Sequence, residues 1–453
     1  MLKIQRTKEF QTRLNFQSHG GLFDEFRQRF LSSDLGKIYQ AIPWDDLVKS
    51  FALKEHRKGP QCYFSPQGKI ALMFLKSYAD CSDQKLLEQL NSNIDYQFFC
   101  DLHLGRERLT NAKIISDIRC ELADKLEMDK LQKLFYQHWS PYIEQPEKVM
   151  MDATCYQSEV RYPTDQKLLW ECVDWSYQKP CAQHQSKGLK TPRTKYLKWQ
   201  GRYLNYSKMK RRTRKKRVAL TRSLLWLLCK LDGLLDDFEQ TYPDFKFTDQ
   251  YCQRRATIKT IYDQQKHHFE TGESPKNRIV SIHKPYVRPI VRGKEINKVE
   301  FGAKAHKFQL DGISFLQKLS FDNFNEGILY QQTISTVQSL TGVKVTTTGA
   351  DMIYAANANR NFASKNDLKT DFKPKGPRSK AYQERKKVRA EIAKERSTRL
   401  EGSFGKDKEH YGLRKVKAKT EKTEKLWIFF AIQTGNALEI GRRMVAKRPQ
   451  QAA

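Results

Sequence analysis

Hydrophobic residues recur at helical spacing over roughly the first 140 residues of the chain. Ser65-Pro66 supplies a helix cap and a first-turn proline, and the apolar positions from Ile70 to Tyr78 then lie on one helix face. Further helices are predicted after Ser82-Asp83 and from Thr110 toward Leu131. Short capped helices with basic neighbours suit a helix-turn-helix-like DNA-binding domain, and they equally suit a plain helical bundle.

The pattern becomes strand-like at residues 149–154, Val-Met-Met-Asp-Ala-Thr. Pro146 just before this run and the β-branched residues within it favour a strand over a short helix. The run delivers a single carboxylate, Asp152, at the end of the predicted buried strand. A metal-dependent nuclease places a ligand at such a position, but an ordinary turn also begins at such a residue. Asp152 alone therefore does not distinguish a metal site from a turn.

A long helical region interrupts the strand pattern at about residues 166–275. Apolar residues recur at helical spacing from Leu220 to Phe238, Pro243 ends that helix, and the apolar positions from Ile258 to Tyr262 indicate a returning helix. The region is therefore predicted to be a helical hairpin inserted into another domain.

Strand character returns after the insert. The predicted elements are strands at 278–282, 287–291, 299–310 and 313–319, with a turn at 292–294, a hairpin at Asp311-Gly312, a helix at 325–342 and a strand at 343–348 that leads to Asp351. Without the insert the order is β-β-β-α-β, the order of an RNase H-like core, whose first and fourth strands lie side by side. Asp152 and Asp351 would then face one another across a strand spacing of about 5 Å.

The C-terminal part begins with a Lys/Arg-rich connection at 367–389, from which a helix is predicted to start near Ser379 and run to Glu401. Two glycines in the stretch 400–408 disfavour its continuation, and the apolar run 426–432 predicts a buried C-terminal helix. The predicted fold class is α/β, with a helical N-terminal DNA-binding domain (1–140), an RNase H-like catalytic core (141–165 and 276–440), a basic helical insert (166–275) and a disordered tail (441–453).

The net charge of the chain indicates a class of binding partner. The chain has 83 Lys and Arg against 51 Asp and Glu, a formal charge of +32, which favours nucleic acid as the partner without naming an activity. The densest block begins the long helix of the insert. It either follows a DNA backbone, with nearby aromatic residues packing on sugars or bases, or is a solvated helix start. Its basic residues are Lys208, Lys210, Arg211, Arg212, Arg214, Lys215, Lys216 and Arg217.

Cysteine usage and the absence of targeting signals indicate a location. Nine cysteines without a CxxC pair favour reduced thiols over a disulfide framework or a zinc site. No signal peptide or transmembrane segment is predicted, so we expect a cytoplasmic, nucleoid-associated protein.

Three carboxylates form the candidate chemistry. Two-metal phosphoryl transfer needs acidic side chains that hold a pair of divalent ions about 4 Å apart. Asp152 and Asp351 at predicted strand ends and Glu401 on a predicted helix supply such a set. A turn or cap is the more frequent role for any one of them; their joint placement in the predicted core raises the catalytic hypothesis.

Several segments resemble bacterial insertion-sequence DDE transposases of the insertion sequence five/1182 group, which have an insertion sequence four-like catalytic domain. Residues 64–102 are similar to the N-terminal transposase domain of that group. The resemblance also rests, in chain order, on MDAT (151–154), YPTD (162–165), RIVSIHKPYVRPIVRGK (278–294), VEFGAK (299–304), DNFNE (322–326), ADMIY (350–354), LEGSFG (400–405) and YGL (411–413).

This resemblance implies an RNase H-like core whose DDE triad is Asp152, Asp351 and Glu401. It implies two Mg²⁺ ions, replaceable by Mn²⁺, that support cleavage of double-stranded DNA at transposon ends and transfer of the 3′-hydroxyl strand to target DNA within a homodimer. Lys408, two helical turns beyond Glu401, would contact phosphate or remain solvated. Met352 stands where relatives more often carry Lys, which leaves the activity of this copy open.

Two alternatives share the same core. The first is a transposase-derived DNA-binding protein that has lost catalysis. The second is an RNase H-fold nuclease that cuts without strand transfer.

Overall fold

The computed structural model describes residues 19–55, 62–291, 299–375 and 382–447, and side chains from residue 24 onward. The turn at 292–294 and the helix start near Ser379 lie outside these residues. The helices are α1 (His19–Ser32), α2 (Asp34–Ala41), α3 (Trp44–Ser50), α4 (Pro66–Ala79), α5 (Asp83–Ser92), α6 (Ile94–Phe99), α7 (Lys113–Asp124), α8 (Met128–Trp139), α9 (Asp165–Ser186), α10 (Tyr196–Lys208), α11 (Arg214–Thr241), α12 (Asp249–Thr271), α13 (Tyr330–Thr341), α14 (Asn357–Lys365), α15 (Tyr382–Glu395), α16 (Gly402–His410) and α17 (Glu421–Ala446).

Six strands form one mixed sheet in the described residues: β1 (Lys148–Gln157), β2 (Pro289–Val291), β3 (Val299–Leu310), β4 (Ile313–Ser320), β5 (Thr347–Ala350) and β6 (Lys369–Thr370). The strand order is β4-β3-β1-β5-β6, and β2 pairs with the first residues of β3. β3 and β4 are antiparallel, whereas β1, β5 and β6 are mutually parallel. The predicted pairing of the first and fourth core strands, β1 and β5, is therefore present.

The chain forms two compact units. The first contains residues 1–158, 303–320 and 324–453, and the second contains 159–302 and 321–323. The N-terminal helices belong to the first unit together with most of the sheet, whereas the sequence predicted a separate domain up to residue 140. The predicted insert helices lie in the second unit.

Helix caps explain why the N-terminal elements were predictable. The Ser65 and Ser82 hydroxyls accept hydrogen bonds from the first turns of α4 and α5, as the sequence predicted. The predicted third helix is wrong in one respect, because it breaks after Asp124 and resumes at Met128 as α8.

The apolar run 426–432 is the buried centre of α17, which packs against α2, α4 and α7. The predicted C-terminal helix is therefore confirmed. Because α17 continues to Ala446, the predicted disordered tail is wrong for residues 441–446, and residues 448–453 lie outside the described chain.

Two strand predictions also need correction. Residues 278–282 form no strand; Ile279 and Ile282 are apolar because they complete the hydrophobic core of the second unit. The strand predicted at 343–348 begins only at Thr347, and the two-residue β6 was missed because it is too short for an alternating pattern.

The insert contains more helices than the predicted hairpin within nearly the predicted bounds. α11 and α12 match the predicted helix and its return, with the break beyond Thr241 near Pro243, but α9 and α10 precede them. The aromatic residues of α10 pack inward: Tyr196 and Tyr206 are buried, and Tyr203 stacks on Trp170 with ring centroids 4.9 Å apart. These side chains stabilise the unit, so the expectation that they contact sugars or bases is wrong for them.

Gly349 in β5 permits close packing beneath the sheet end that carries Asp351. A Cβ there would lie 2.4 Å from Met150 Sδ on β1 and 2.9 Å from Ile392 Cγ2 on α15. Met150, Ile392 and Leu400 form a small hydrophobic cluster at this point. The glycine therefore lets α15 approach the strand pair that presents the two aspartates.

We expect Gly349→Ala to lower the free energy of unfolding by about 1–3 kcal/mol, because the added methyl overpacks this region. Gly405→Ala is the matched control: a Cβ meets nothing within 4 Å there, so alanine in α16 should stabilise by about 0.5–1 kcal/mol. Urea denaturation measures both changes. Equal effects of the two substitutions would contradict the packing argument.

Candidate active site

The two predicted strand-end aspartates lie side by side. β1 and β5 pair in parallel with Met151 opposite Ala350, so the next residues, Asp152 and Asp351, occupy the same level of neighbouring strands. β1 itself continues to Gln157, so Asp152 lies within its strand, just beyond the last pair with β5. Asp351 follows β5 directly and caps the 3₁₀ turn Met352–Tyr354 by accepting from Met352 N at 2.6 Å.

Negative charge is concentrated at this strand end. Burial first, and then the charges of Glu326 and Asp351, raise the pKa of the Asp152 carboxyl to about 6. A hydrogen bond from Ala153 N and the charge of Arg396 act in the opposite direction. A divalent cation would relieve this repulsion, so the carboxylates of Asp152 and Asp351 fit such an ion.

Glu401 ends a π-helical turn, Arg396–Glu401, which joins α15 to α16. The helix therefore continues where the sequence predicted a break at the glycines, and the irregularity is a widened turn; such turns occur often at functional sites. Arg396 connects this turn to the sheet: its guanidinium pairs with Glu401 Oε1 at 2.8 Å and with Asp371 Oδ2 at 3.4 Å. Asp371 in turn accepts from Ala350 N, next to Asp351.

The structure thus brings Asp152 and Asp351 to the same level of neighbouring strands, whereas Glu401 is paired with Arg396 on the π-helical turn. In the part of the chain that the structure describes, no group of three or more His, Cys, Asp or Glu side chains is arranged to hold a metal ion. Met352, which stands where the resemblance leads one to expect Lys, is half exposed immediately after Asp351.

Lys408 also lies at this site. Its Nζ donates to Thr154 Oγ1 at 3.2 Å, two residues beyond Asp152 on β1. The neighbouring Asp407 anchors α16 beneath the sheet: its carboxylate pairs with the fully buried Lys307 Nζ at 2.7 Å and accepts from the Tyr156 hydroxyl. These interactions hold the helix that follows Glu401 against β1 and β3.

Sequence reasoning did not give a role to four other residues at this site. Glu326 carries a charge close to Asp152 and pairs with Lys304 Nζ at 2.9 Å. Tyr354 and His306 are completely buried, with ring centroids 5.7 Å apart. The sequence signal was the position of Glu326, Lys304 and Tyr354 in the segments DNFNE, VEFGAK and ADMIY; their contacts were not predictable, because they join residues that are distant along the chain.

His306 should make the fold sensitive to acid. Burial, assisted by the Lys304 charge, lowers the pKa of its imidazole from 6.5 to about 3, and neither ring nitrogen has a hydrogen-bond partner in the described structure. Between these two pH values the unfolded chain binds a proton that the folded chain does not. Stability contributed by the neutral ring is therefore present above pH 6.5 and is lost as the pH falls.

We expect the free energy of unfolding to fall by up to about 1.4 kcal/mol per pH unit through this group. Urea denaturation of wild type and His306→Gln from pH 7 to pH 4 gives the difference in their free energies of unfolding. This difference isolates the contribution of His306, since the other groups titrate in both proteins. A pH-independent difference would contradict the assignment.

The predicted DNA-binding block lies in the second unit, at the end of α10 and the start of α11. All eight side chains are exposed, and none of them pairs with a carboxylate of the described residues. Thr213 caps α11 through Lys216 N, so the cations cluster around one helix start. The block comprises Lys208, Lys210, Arg211, Arg212, Arg214, Lys215, Lys216 and Arg217.

Two segments match known protein families. Residues 349–434 match the family described as "Transposase DDE domain", and residues 24–121 match the family described as "Transposase domain (DUF772)". The first match contains Asp351 and Glu401, whereas Asp152 precedes it. Neither a curated protein nor a solved structure matches the chain.

Both matched families are described as transposase domains, and the two matches cover separate segments of the chain. Together they confirm the predicted resemblance to insertion-sequence DDE transposases. Neither match distinguishes the insertion sequence five/1182 group from other groups of transposases. No helix in the described ranges is long and apolar enough to cross a membrane.

Proposed function

We propose that this protein binds the ends of an insertion sequence, cleaves the DNA there and transfers the 3′-hydroxyl strand to target DNA. The observation that carries the proposal is the parallel pairing of β1 with β5, which sets Asp152 beside Asp351. The strand order β4-β3-β1-β5-β6, with antiparallel pairing of β3 and β4 and parallel pairing of β1, β5 and β6, supports an RNase H-like core. The match of residues 349–434 to a DDE domain supports the same assignment.

The proposed chemistry assigns a role to each residue. Asp152 and Asp351 would hold divalent cations, Mg²⁺ or Mn²⁺, which supply charge neutralisation for phosphoryl transfer. Glu401 would join them as a ligand after its ion pair with Arg396 breaks. Arg396 keeps Glu401 beside the sheet through its second partner, Asp371. Lys408 lies close enough to β1 to bind a phosphate oxygen next to the scissile bond.

Products distinguish this function from its alternatives. Plasmid DNA that carries the sequences flanking the coding region would be incubated with the protein and Mg²⁺. We expect both cleaved ends and ends joined to a second DNA. Cleavage without joining would favour a nuclease on the same core, and binding without cleavage would favour an inactive transposase-derived protein.

The eight-residue basic block offers a separate test of DNA binding. Replacing Lys215, Lys216 and Arg217 by glutamine should weaken binding and reduce the slope of log K against log salt by about 0.9 for each phosphate that the protein no longer neutralises. The control variant replaces three lysines of the same unit that lie outside the block, Lys246, Lys266 and Lys276, by glutamine. An unchanged salt slope in the block variant would mean that these cations are only a solvated helix start.

Assembly is the last component of the proposal. A pair of ends must be held together for strand transfer, and a homodimer is the arrangement that the family resemblance implies. Mass measurement of the protein with end DNA tests it: two chains per pair of ends are expected, and one chain on each separate end would contradict it.

A further inference from the structure

A short turn with an exposed apolar surface follows Asp351. The Asp351 carboxylate accepts a hydrogen bond from Met352 N at 2.6 Å and so caps the 3₁₀ turn Met352–Tyr354. Tyr354, the last residue of this turn, is completely buried, whereas Met352 is 53% exposed and Ile353 is 50% exposed. The turn is therefore anchored by one side chain and presents two apolar side chains to solvent next to Asp351.

A second turn adds another exposed apolar side chain. In the 3₁₀ turn Glu326–Leu329, Ile328 is 69% exposed. A Cβ on Gly327 would lie 2.6 Å from Ile353 O, so the two turns are in backbone contact. Asn359 Nδ2 donates a hydrogen bond to one carbonyl of each turn, at 2.8 and 2.9 Å, which fixes the turns relative to each other. The exposed apolar residues of the two turns form an apolar tip that consists of Ile328, Met352 and Ile353.

Two cations flank the apolar tip. Arg360 Nε donates to Ala355 O at 2.8 Å, and Lys375 Nζ donates to Asn357 Oδ1 at 2.8 Å, so both cations lie along the segment that follows the first turn. Neither of them forms an ion pair with a carboxylate of the described residues. An apolar surface beside such cations is complementary to DNA, which has charged phosphates outside and stacked apolar base faces inside.

A DNA strand bound at Asp351 lies within reach of the apolar tip. Successive Cα atoms are about 3.8 Å apart, and successive nucleotides of one strand rise by about 3.4 Å. A strand whose phosphate lies at the Asp351 carboxylate therefore has Met352 and Ile353 within one or two nucleotides. Met352 stands where the resemblance leads one to expect Lys, so this chain offers DNA an apolar contact at that position.

We propose that the apolar tip packs against the bases of the DNA at the cleavage point and opens their stacking, which makes the phosphate between them accessible to the site at Asp351. The inference rests on the proposed function and adds a DNA-distorting contact to it. Inserted apolar side chains such as Ile and Met unstack base steps at a cost of a few kcal/mol per step. Arg360 and Lys375 bind the phosphates of the distorted strand and offset this cost.

Cleavage of paired and mismatched DNA by the full chain tests the inference. The double variant Met352→Ser/Ile353→Ser removes the two tip residues next to Asp351, and exposed positions accept serine with little change in stability. We expect it to cleave fully paired end DNA at least about tenfold more slowly than wild type, because it no longer helps to unstack the bases. DNA with mismatched bases at the cleavage point, mapped from the wild-type products, should restore its rate to nearly that of wild type.

Two control variants accompany this measurement. Val343→Ser changes an exposed apolar residue that precedes β5, whereas Asp351 follows the end of that strand. It should cleave both DNAs as wild type does. Asp351→Asn should be slow on both, because mismatched bases do not replace a metal ligand. Thermal melting confirms that each variant is folded.

The outcomes separate the inference from the proposed function. If the double variant cleaves paired DNA as fast as wild type, or is slowed equally on both DNAs, the inference is wrong and the proposed function stands. An equally slowed double variant that no longer forms the two-chain complex would assign the apolar tip to a contact between chains. If wild type cleaves neither DNA, the proposed function fails and the inference fails with it.

Discussion

Asp351→Asn should abolish DNA cleavage and leave DNA binding intact. The substitution keeps the fold, because asparagine is as good a cap as aspartate and can still accept from Met352 N. It removes a charge from the proposed cation site. Electrostatic stabilisation by a metal contributes several kcal/mol to phosphoryl transfer, so a loss of at least about 10²–10³-fold in rate is expected.

The control for this variant is Asp367→Asn, which removes an aspartate charge at an exposed position. Asp367 has φ 53°, a conformation that asparagine adopts readily, so its replacement should change neither folding nor rate. Single-turnover cleavage of end DNA with Mg²⁺ gives the rates, and gel-shift titration gives the affinities. Comparable cleavage by Asp351→Asn and wild type would refute the role of Asp351 as a metal ligand.

Lys307→Met should produce the largest loss of stability in the core. Lys307 is fully buried in β3, and burial lowers the pKa of its ammonium while the Asp407 partner raises it. Removal of the lysine leaves the Asp407 carboxylate inside the protein without its cation. The expected loss is about 3–5 kcal/mol of unfolding free energy.

A surface ion pair provides the comparison. Lys422–Asp124 has a similar 2.7 Å separation, but both side chains are more than half exposed, so Lys422→Met should cost at most about 1 kcal/mol. Because α16 carries Lys408, the Lys307→Met protein should also cleave DNA more slowly than Lys422→Met under conditions where both are folded. Equal stability losses in the two variants would contradict the anchoring role of the Lys307–Asp407 pair.

Local chemistry explains which elements were predictable from the sequence. The caps Ser65 and Ser82, the Asp311-Gly312 hairpin and the Gly342 helix end each act within a few residues, and the structure contains all four. Asp311 and Gly312 both have positive φ, as a two-residue hairpin turn requires. The order of these elements was enough to predict that β1 and β5 pair.

Interactions between distant segments explain what the sequence did not reveal. Ile279 and Ile282 resemble a strand in composition, but they fill a helical core. In the π-helical turn Arg396–Glu401, Arg396 pairs with Asp371, which directly follows β6 and precedes α15. Glu326 was recognisable only as part of a motif, because its charge acts on the Asp152 carboxyl from a segment that is distant along the chain.

The central claim is that Asp152 and Asp351 together bind a divalent cation. Anomalous diffraction from crystals of the full chain soaked in Mn²⁺ tests it most directly. The account predicts an anomalous peak between the carboxylates of Asp152 and Asp351. Bound Mn²⁺ located elsewhere, with these two carboxylates uncoordinated, would contradict it.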